Sequence, residues 1–105
     1  MVFGVASALL DALVLCLVEQ GDSYGYEISQ TLREKLDVSD STLYPVLRRL
    51  LKDECLEAYD VPISGRNRRY YRITPRGRSQ LNLYMGEWVA YRDCIDTILL
   101  GGEKR

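Results

Sequence analysis

A mainly α chain with a minor β component is what this 105-residue sequence predicts, and three observations predict it. Apolar residues recur at helical spacing in four separate segments. The period changes between Cys55 and Ile73, where tyrosines and arginines gather around turn residues. Thr74-Pro75 then opens a long last segment whose apolar steps alternate between three and four. At 47% hydrophobic and 28% charged, with three Pro, the composition excludes a disordered tail or linker. A chain this short buries only about 65% of its extended surface, so a partner subunit is the expected source of further core.

The elements follow in order. Ser7 to Gln20 reads as a helix with a serine start and Gly21 as its stop. From Leu9 to Val18 nearly every face of it is apolar, so it must be covered on more than one side. Ser23 is the expected cap of a second helix, from about Tyr24 to Leu36, whose core face is Ile28, Leu32 and Leu36. The short connection Asp37 to Asp40 leads to a third helix, from about Ser41 to Glu54. There Leu43, Val46, Leu47, Leu50 and Leu51 form one buried stripe. Ser41, Tyr44, Pro45, Arg48, Arg49 and Lys52 lie opposite, with Pro45 in or just after the first turn. Helix, tight turn and helix with a polar, basic outer face is the helix-turn-helix pattern.

Cys55 to Val61 suits a strand, Pro62 to Asn67 a turn, and Arg68 to Ile73 a returning strand. A basic hairpin directly after a helix-turn-helix is a wing, here expected to have two strands. Thr74 caps the final helix with Pro75 at its first position, and Gly101-Gly102 ends it. Leu81, Tyr84, Trp88, Tyr91, Ile95 and Ile98 form a coiled-coil seam along it. Such a helix is about 39 Å long at 1.5 Å per residue, more than so small a domain needs. The expected division is therefore a winged helix-turn-helix unit over residues 1–74 and a dimerisation helix over 75–105, the partner's copy covering the over-apolar first helix. A long helix folded back on its own domain is the alternative. The face expected to dimerise is Leu10, Leu13, Leu17, Leu81, Trp88, Ile95 and Ile98.

Charge is near balance overall, at -1, but unevenly spread. Residues 1–60 carry a net of -6, whereas residues 61–78 hold six arginines and no acid. That block either tracks phosphates or is a solvated strand. The absence of His removes the commonest general base and metal ligand. With no phosphate loop, paired-carboxylate motif or nucleophile elbow either, no catalytic residue, metal site or cofactor is expected. Cys16, Cys55 and Cys94 are odd in number and at least 39 positions apart, so reduced thiols in a cytoplasmic protein are expected rather than a disulfide framework. No membrane partner is expected, since the apolar run Ala8 to Val18 is broken by Asp11 and falls short of the roughly 20 residues a span requires.

Three segments carry a family resemblance. Tyr24-Gly25-Tyr26-Glu27-Ile28, then Ser41 to Leu50 (STLYPVLRRL), then Arg69-Tyr70-Tyr71-Arg72-Ile73-Thr74 resemble the PadR family of bacterial winged-helix transcriptional regulators. The likeness spans about residues 8–78. The lone Trp88 in a single C-terminal helix looks like the short subfamily, whose members resemble multidrug-responsive repressors. The resemblance implies a homodimer in which the C-terminal helix packs on the partner's first helix, and repression relieved by a small molecule. It also implies that Trp88 lines a pore at the dimer centre. Glu54 departs from the pattern, standing where the family usually has glycine, as do Ala8 in place of a common glycine and the lack of a basic residue before the first helix.

The expected contacts with double-stranded DNA are Ser39, Ser41, Thr42 and Tyr44 at the start of the third helix, with Arg48, Arg49 and Lys52 further along as phosphate neutralisers. Alternatively some of these cations pair with Glu54 or Glu57. Arg66, Arg68 and Arg69 reach phosphates or a minor groove from the wing. Tyr24 adds a phosphate contact at a helix start. Of Tyr70 and Tyr71, one is expected in the core and one outside. Trp88, Tyr84 and Tyr91 are placed to stack on a small aromatic or cationic effector with Asp96 as counter-charge, unless they form only an aromatic dimer core. Two further functions compete with an effector-responsive repressor of a palindromic operator: a winged helix that binds an acidic protein, and a repressor sensing oxidants through its thiols.

Overall fold

A computed structural model describes residues 2–101. The elements are α1 (Ser7–Glu19), β1 (Ser23–Tyr24), α2 (Gly25–Leu36), α3 (Asp40–Lys52), β2 (Leu56–Ile63), β3 (Arg66–Ile73) and α4 (Pro75–Leu100). This is a winged helix-turn-helix with a long C-terminal helix. Leu10, Val14, Leu15 and Val18 of α1, Ile28 and Leu32 of α2, and Leu43, Val46, Leu47 and Leu50 of α3 form the core with Leu56, Tyr71, Ile73 and Leu81. Each large side chain so enclosed contributes about 1.5–3 kcal/mol. The four-residue stripe of α2 and the 3-4 stripe of α3 therefore do what their spacing dictates.

The element ends depart from expectation in instructive ways. Ser7 begins α1 without capping it; the N-cap is Ala6, with no side-chain bond. Ser23 does not cap α2 either. It pairs with Tyr71, and Tyr24 with Tyr70, so the wing has three strands in the order β1-β3-β2 rather than two. Tyr24 takes the N-cap position, its N–H donating to Glu27 Oε1 at 3.1 Å. Helix α3 stops at Lys52, because Glu54 adopts φ 63°. The Glu54 N–H reaches the Leu51 carbonyl at 3.0 Å and the Cys55 N–H the Leu50 carbonyl at 2.9 Å, a Schellman end. A glycine would hold this left-handed position at no steric cost, whereas Glu54 pays about 1 kcal/mol. Pro45 sits just past the first turn, exposed; the bond it forfeits is to the carbonyl of Ser41, also exposed.

The hairpin turn is tighter than the sequence predicts. Strands β2 and β3 pair from Leu56 opposite Ile73 to Ile63 opposite Arg66, leaving only Ser64-Gly65 as the loop. Both turn residues have positive φ, 52° and 78°, the arrangement whose twist matches two antiparallel strands. Pro62 thus lies inside β2, which tolerates it as an edge strand. Tyr71 faces the core and Tyr70 the outside, as alternation requires.

Thr74 fastens α4 to this frame. Its Oγ1 accepts from the Gly77 N–H at 2.9 Å and donates to the Glu54 carbonyl at 2.7 Å, and its N–H donates to the Cys55 carbonyl at 3.1 Å. Gly77 lies against the Cys55 carbonyl with no room for a side chain. From there Leu81 enters the core and Tyr84 packs on it, while the side chains beyond Tyr84 stay exposed. The molecule extends 60 × 29 × 20 Å. Its radius of gyration is 15.8 Å against about 13 Å for a compact chain of this size, because the distal turns of α4 project. Gly101 closes α4 at φ 68°, and the second glycine of the expected stop, Gly102, lies outside the described residues.

The expected dimer face divides accordingly. Leu10 and Leu81 are 1% and 5% exposed inside this chain's own core, which corrects their assignment to a partner contact. Leu13 and Leu17 pack against the same core, half-buried. Trp88, Ile95 and Ile98 remain exposed.

Candidate nucleic-acid interface and effector groove

The start of α3 is a cluster of hydroxyls. The Ser39 Oγ lies 3.0 Å from the Ser41 Oγ and 3.2 Å from the Thr42 Oγ1, all three exposed. The one acid there, Asp40, is turned onto α2. The Ser29 hydroxyl donates to it, and Arg33 Nη2 reaches its Oδ1 at 2.8 Å and Ser29 Oγ at 2.8 Å. Those bonds, the one from Ser29 foremost, hold the Asp40 carboxyl below its ordinary value. The cluster therefore presents donors with a neutralised carboxylate beside it. Tyr44 is seated differently from its neighbours: a Cβ at position 25 would meet its hydroxyl at 3.3 Å, so glycine lets the ring lie close to the start of α2.

The wing is braced by a row of aromatic rings. Tyr24, Tyr70 and Tyr59 stand side by side across the three strands, with centroids 5.5 and 5.7 Å apart. The Arg68 guanidinium lies 4.4 Å above the Tyr24 ring, which steadies that side chain. Tyr24 is thus half-buried in the sheet and supports Arg68. At the other end of the row Tyr59 donates to Asp22 at 2.6 Å, and that bond raises its phenol above the ordinary value.

Ion pairing sorts the cations into two sets. Arg33 is held by Asp40, Arg49 by Asp11, Arg72 by Glu57 and Arg92 by Asp93. Among the described residues no carboxylate pairs with Arg48, Lys52, Arg66, Arg68 or Arg69 on α3 and the wing, nor with Lys35, Arg76 or Arg78 elsewhere, all of them exposed. The placement of Arg49 differs from the phosphate role expected of it: its guanidinium points back to α1, onto Asp11 and the Ser7 hydroxyl at 3.3 Å. Neither Glu54 nor Glu57 takes a cation of α3, since Glu57 is occupied by Arg72 at 3.0 Å. The pull of Glu57 accordingly raises the Arg72 guanidinium further.

A groove of about 760 Å³ opens between α1 and the distal half of α4. Trp88, Tyr84, Tyr91 and Asp96, the four expected effector contacts, all line it, joined by Leu9 and Ala12 from α1. Trp88 and Tyr91 lie 6.2 Å apart at 45°. Sequence reasoning missed Phe3 and Glu87, which also border the groove. Of the thiols, Cys55 is buried, Cys16 half-buried and Cys94 exposed. Among the described residues no group of His, Cys, Asp or Glu is arranged to hold a metal ion, and no helix is long and apolar enough to cross a membrane.

A basic wing beside a helix-turn-helix with hydroxyls at its exposed end is the architecture of a DNA-binding regulator. Residues 14–83 match the Transcriptional regulator PadR-like family, and the chain belongs to that family. It is 44% identical over 59 residues to Transcriptional regulator Rv3488 of Mycobacterium tuberculosis, covering 55% of each chain. The crystal structure of smu.1704 from Streptococcus mutans superposes with a TM-score of 0.89 at 39% identity, over 100% of this chain and 98% of that one. A PadR-like transcriptional regulator of Bacillus cereus gives 0.78 at 31% identity, over 87% and 91%. The protein is a DNA-binding transcriptional regulator rather than an enzyme.

Proposed function

We propose that the protein is a homodimeric, effector-responsive repressor of a palindromic operator, of the short multidrug-responsive kind, acting in the cytoplasm. The observation that carries this is the sorting of cations. Among the described residues five of them, on α3 and the wing, have no carboxylate partner, while Arg49 of α3 and Arg72 of β3 are tied to Asp11 and Glu57. In the major groove Ser39, Ser41, Thr42 and Tyr44 meet base edges and adjacent phosphates, with Arg48 and Lys52 on the phosphates beyond. Arg66, Arg68 and Arg69 at the wing take phosphates or the neighbouring minor groove.

The exposed half of α4 supports dimerisation. Trp88, Ile95, Ile98 and Leu99 are 40%, 37%, 80% and 69% exposed in one chain, an apolar ridge that a second copy would cover. The partner's ridge would then roof the groove, enclosing Trp88, Tyr84 and Tyr91 with Glu87 and Asp96 as counter-charges for an aromatic cation. Two protomers place two reading helices on two half-sites, and the net charge of -1 disfavours non-specific adsorption.

The test is selection of duplexes from a randomised pool, followed by anisotropy titration at about 0.15 M salt against scrambled competitor. Recovery of an inverted repeat bound by two protomers supports the assignment. Salt-sensitive binding with no sequence preference would leave a basic wing that serves an acidic protein partner instead.

A further inference from the structure

The groove and the DNA-reading helix share one buried acid. Asp11 of α1 is 8% exposed, at the back of the helix whose Ala8, Leu9 and Ala12 line the groove. Its two oxygens are divided: Oδ1 accepts from Arg49 of α3, and Oδ2 accepts from the Tyr84 hydroxyl of α4 at 3.4 Å. A carboxylate this enclosed is costly to leave without partners, so its two contacts are not independent. The two partners differ in kind. Arg49 makes a close, charge-assisted pair. The Tyr84 bond is at the long limit for a hydroxyl, and its ring forms part of the groove wall. Burial first, then Asp11, raises the Tyr84 phenol above its ordinary value.

We propose that Asp11 is a relay that carries occupancy of the α1–α4 groove to the position of α3, sensing it through Tyr84 and transmitting it through Arg49. This deepens, and rests on, the effector-responsive function proposed above. A ligand stacking beside Trp88 shifts the Tyr84 ring, and the loose Tyr84 bond is the first to change. Asp11 then loses a donor and draws more heavily on Arg49, which displaces the C-terminal half of α3 relative to α1. The hydroxyls at the other end of the same rigid helix move with it. Arg49 and Tyr84 are thus positioning residues, touching neither DNA base nor reacting atom.

The test uses the full chain, duplex DNA selected by it, and 1-benzylpyridinium, a non-intercalating aromatic cation. Trp88 is the only tryptophan, so quenching of its emission reports occupancy directly. In the wild type the probe quenches Trp88 and weakens DNA binding by about five-fold or more, the ordinary lower size of an allosteric coupling. Tyr84→Phe keeps the ring and removes the hydroxyl. Probe is added until quenching of its Trp88 saturates, and its DNA affinity should then change by less than about two-fold. An equal DNA response in Tyr84→Phe and wild type overturns the relay alone, whereas quenching in the wild type without any DNA response overturns the effector response on which the relay rests, and the relay with it. A ligand-free arm reads the same coupling: the effects of Tyr84→Phe and Arg49→Gln on DNA affinity should be non-additive by about three-fold or more. Additivity overturns the relay whether or not the probe binds. Failure of the wild type to select any DNA would overturn the proposed function, and the relay with it.

Discussion

Replacing Arg66, Arg68 and Arg69 together by Ala should change the salt dependence of DNA binding by an amount the structure fixes. Each phosphate neutralised releases counterions, and the slope of log affinity against log salt is about -0.9 per contact. Among the described residues the cations of α3 and the wing without a carboxylate partner number five per protomer: Arg48, Lys52, Arg66, Arg68 and Arg69. A dimer engaging all of them has a limiting slope of about -9, and the triple variant, with two left on each protomer, about -4. Between 50 and 200 mM salt the wild type should therefore lose about five decades of affinity and the variant only about two. The fold should survive. None of the three residues lies in the core, and losing the contact of Arg68 with the Tyr24 ring costs about 0.5–1 kcal/mol. The assay is anisotropy of a selected duplex across that salt range, with sedimentation confirming an intact dimer. A slope within about one unit of wild type would remove the wing from the interface.

Other perturbations test other joints of the account. Gly77→Ala drives a Cβ into the Cys55 carbonyl and to 2.8 Å from Ile73 Cγ1. Since backbone cannot step aside cheaply, thermal unfolding should show a loss of about 2–3 kcal/mol, and a change under about 0.5 would mean the junction is loose. Ile98→Glu places a charge on the exposed ridge of α4, so sedimentation should show monomers with unchanged helicity; an unaltered dimer would put the interface elsewhere. Asp40 has a folded value below its ordinary 3.8, so its clamp on Ser29 and Arg33 contributes stability above about pH 4 and loses it as pH falls through the lowered value. Asp40→Asn should accordingly be less stable than wild type at pH 7, the gap closing below pH 4 in acid titrations followed by circular dichroism; a gap independent of pH would show that Asp40 acts by packing alone.

What was legible in the sequence and what was not divides along physical lines. Helix α4 could be read to its ends because Thr74-Pro75 and Gly101 act locally, through a hydroxyl cap, a missing N–H and a positive φ. The stripe of α3 was legible for the same reason. The glycine-like conformation of Glu54 was readable only as a departure from a family pattern, and the structure shows the residue adopting it regardless. Strand β1 was hidden, because two residues have no period and Ser23 also looks like a cap. Pro62 widened the expected turn, although an edge strand accommodates it.

Partnerships were less legible than elements. Arg49 and Asp11 lie 38 positions apart, and nothing in either neighbourhood announces the other. Spacing shows that a helix face is apolar but not which chain covers it, so Leu10 and Leu81 were assigned to a partner when their own fold encloses them. Tyr84, Trp88, Tyr91 and Asp96 share one side of a single helix, and their grouping in one groove is therefore legible from spacing alone.

A hydroxyl-radical footprint of the protein on a duplex selected from a random pool would test the central claim most directly. Two protected half-sites of the same sequence in opposite orientation, centred about 34–36 Å or a multiple of that apart, are the result predicted for two reading helices on one dimer. A single protected half-site, or protection that follows the ends of the duplex rather than its sequence, would contradict it.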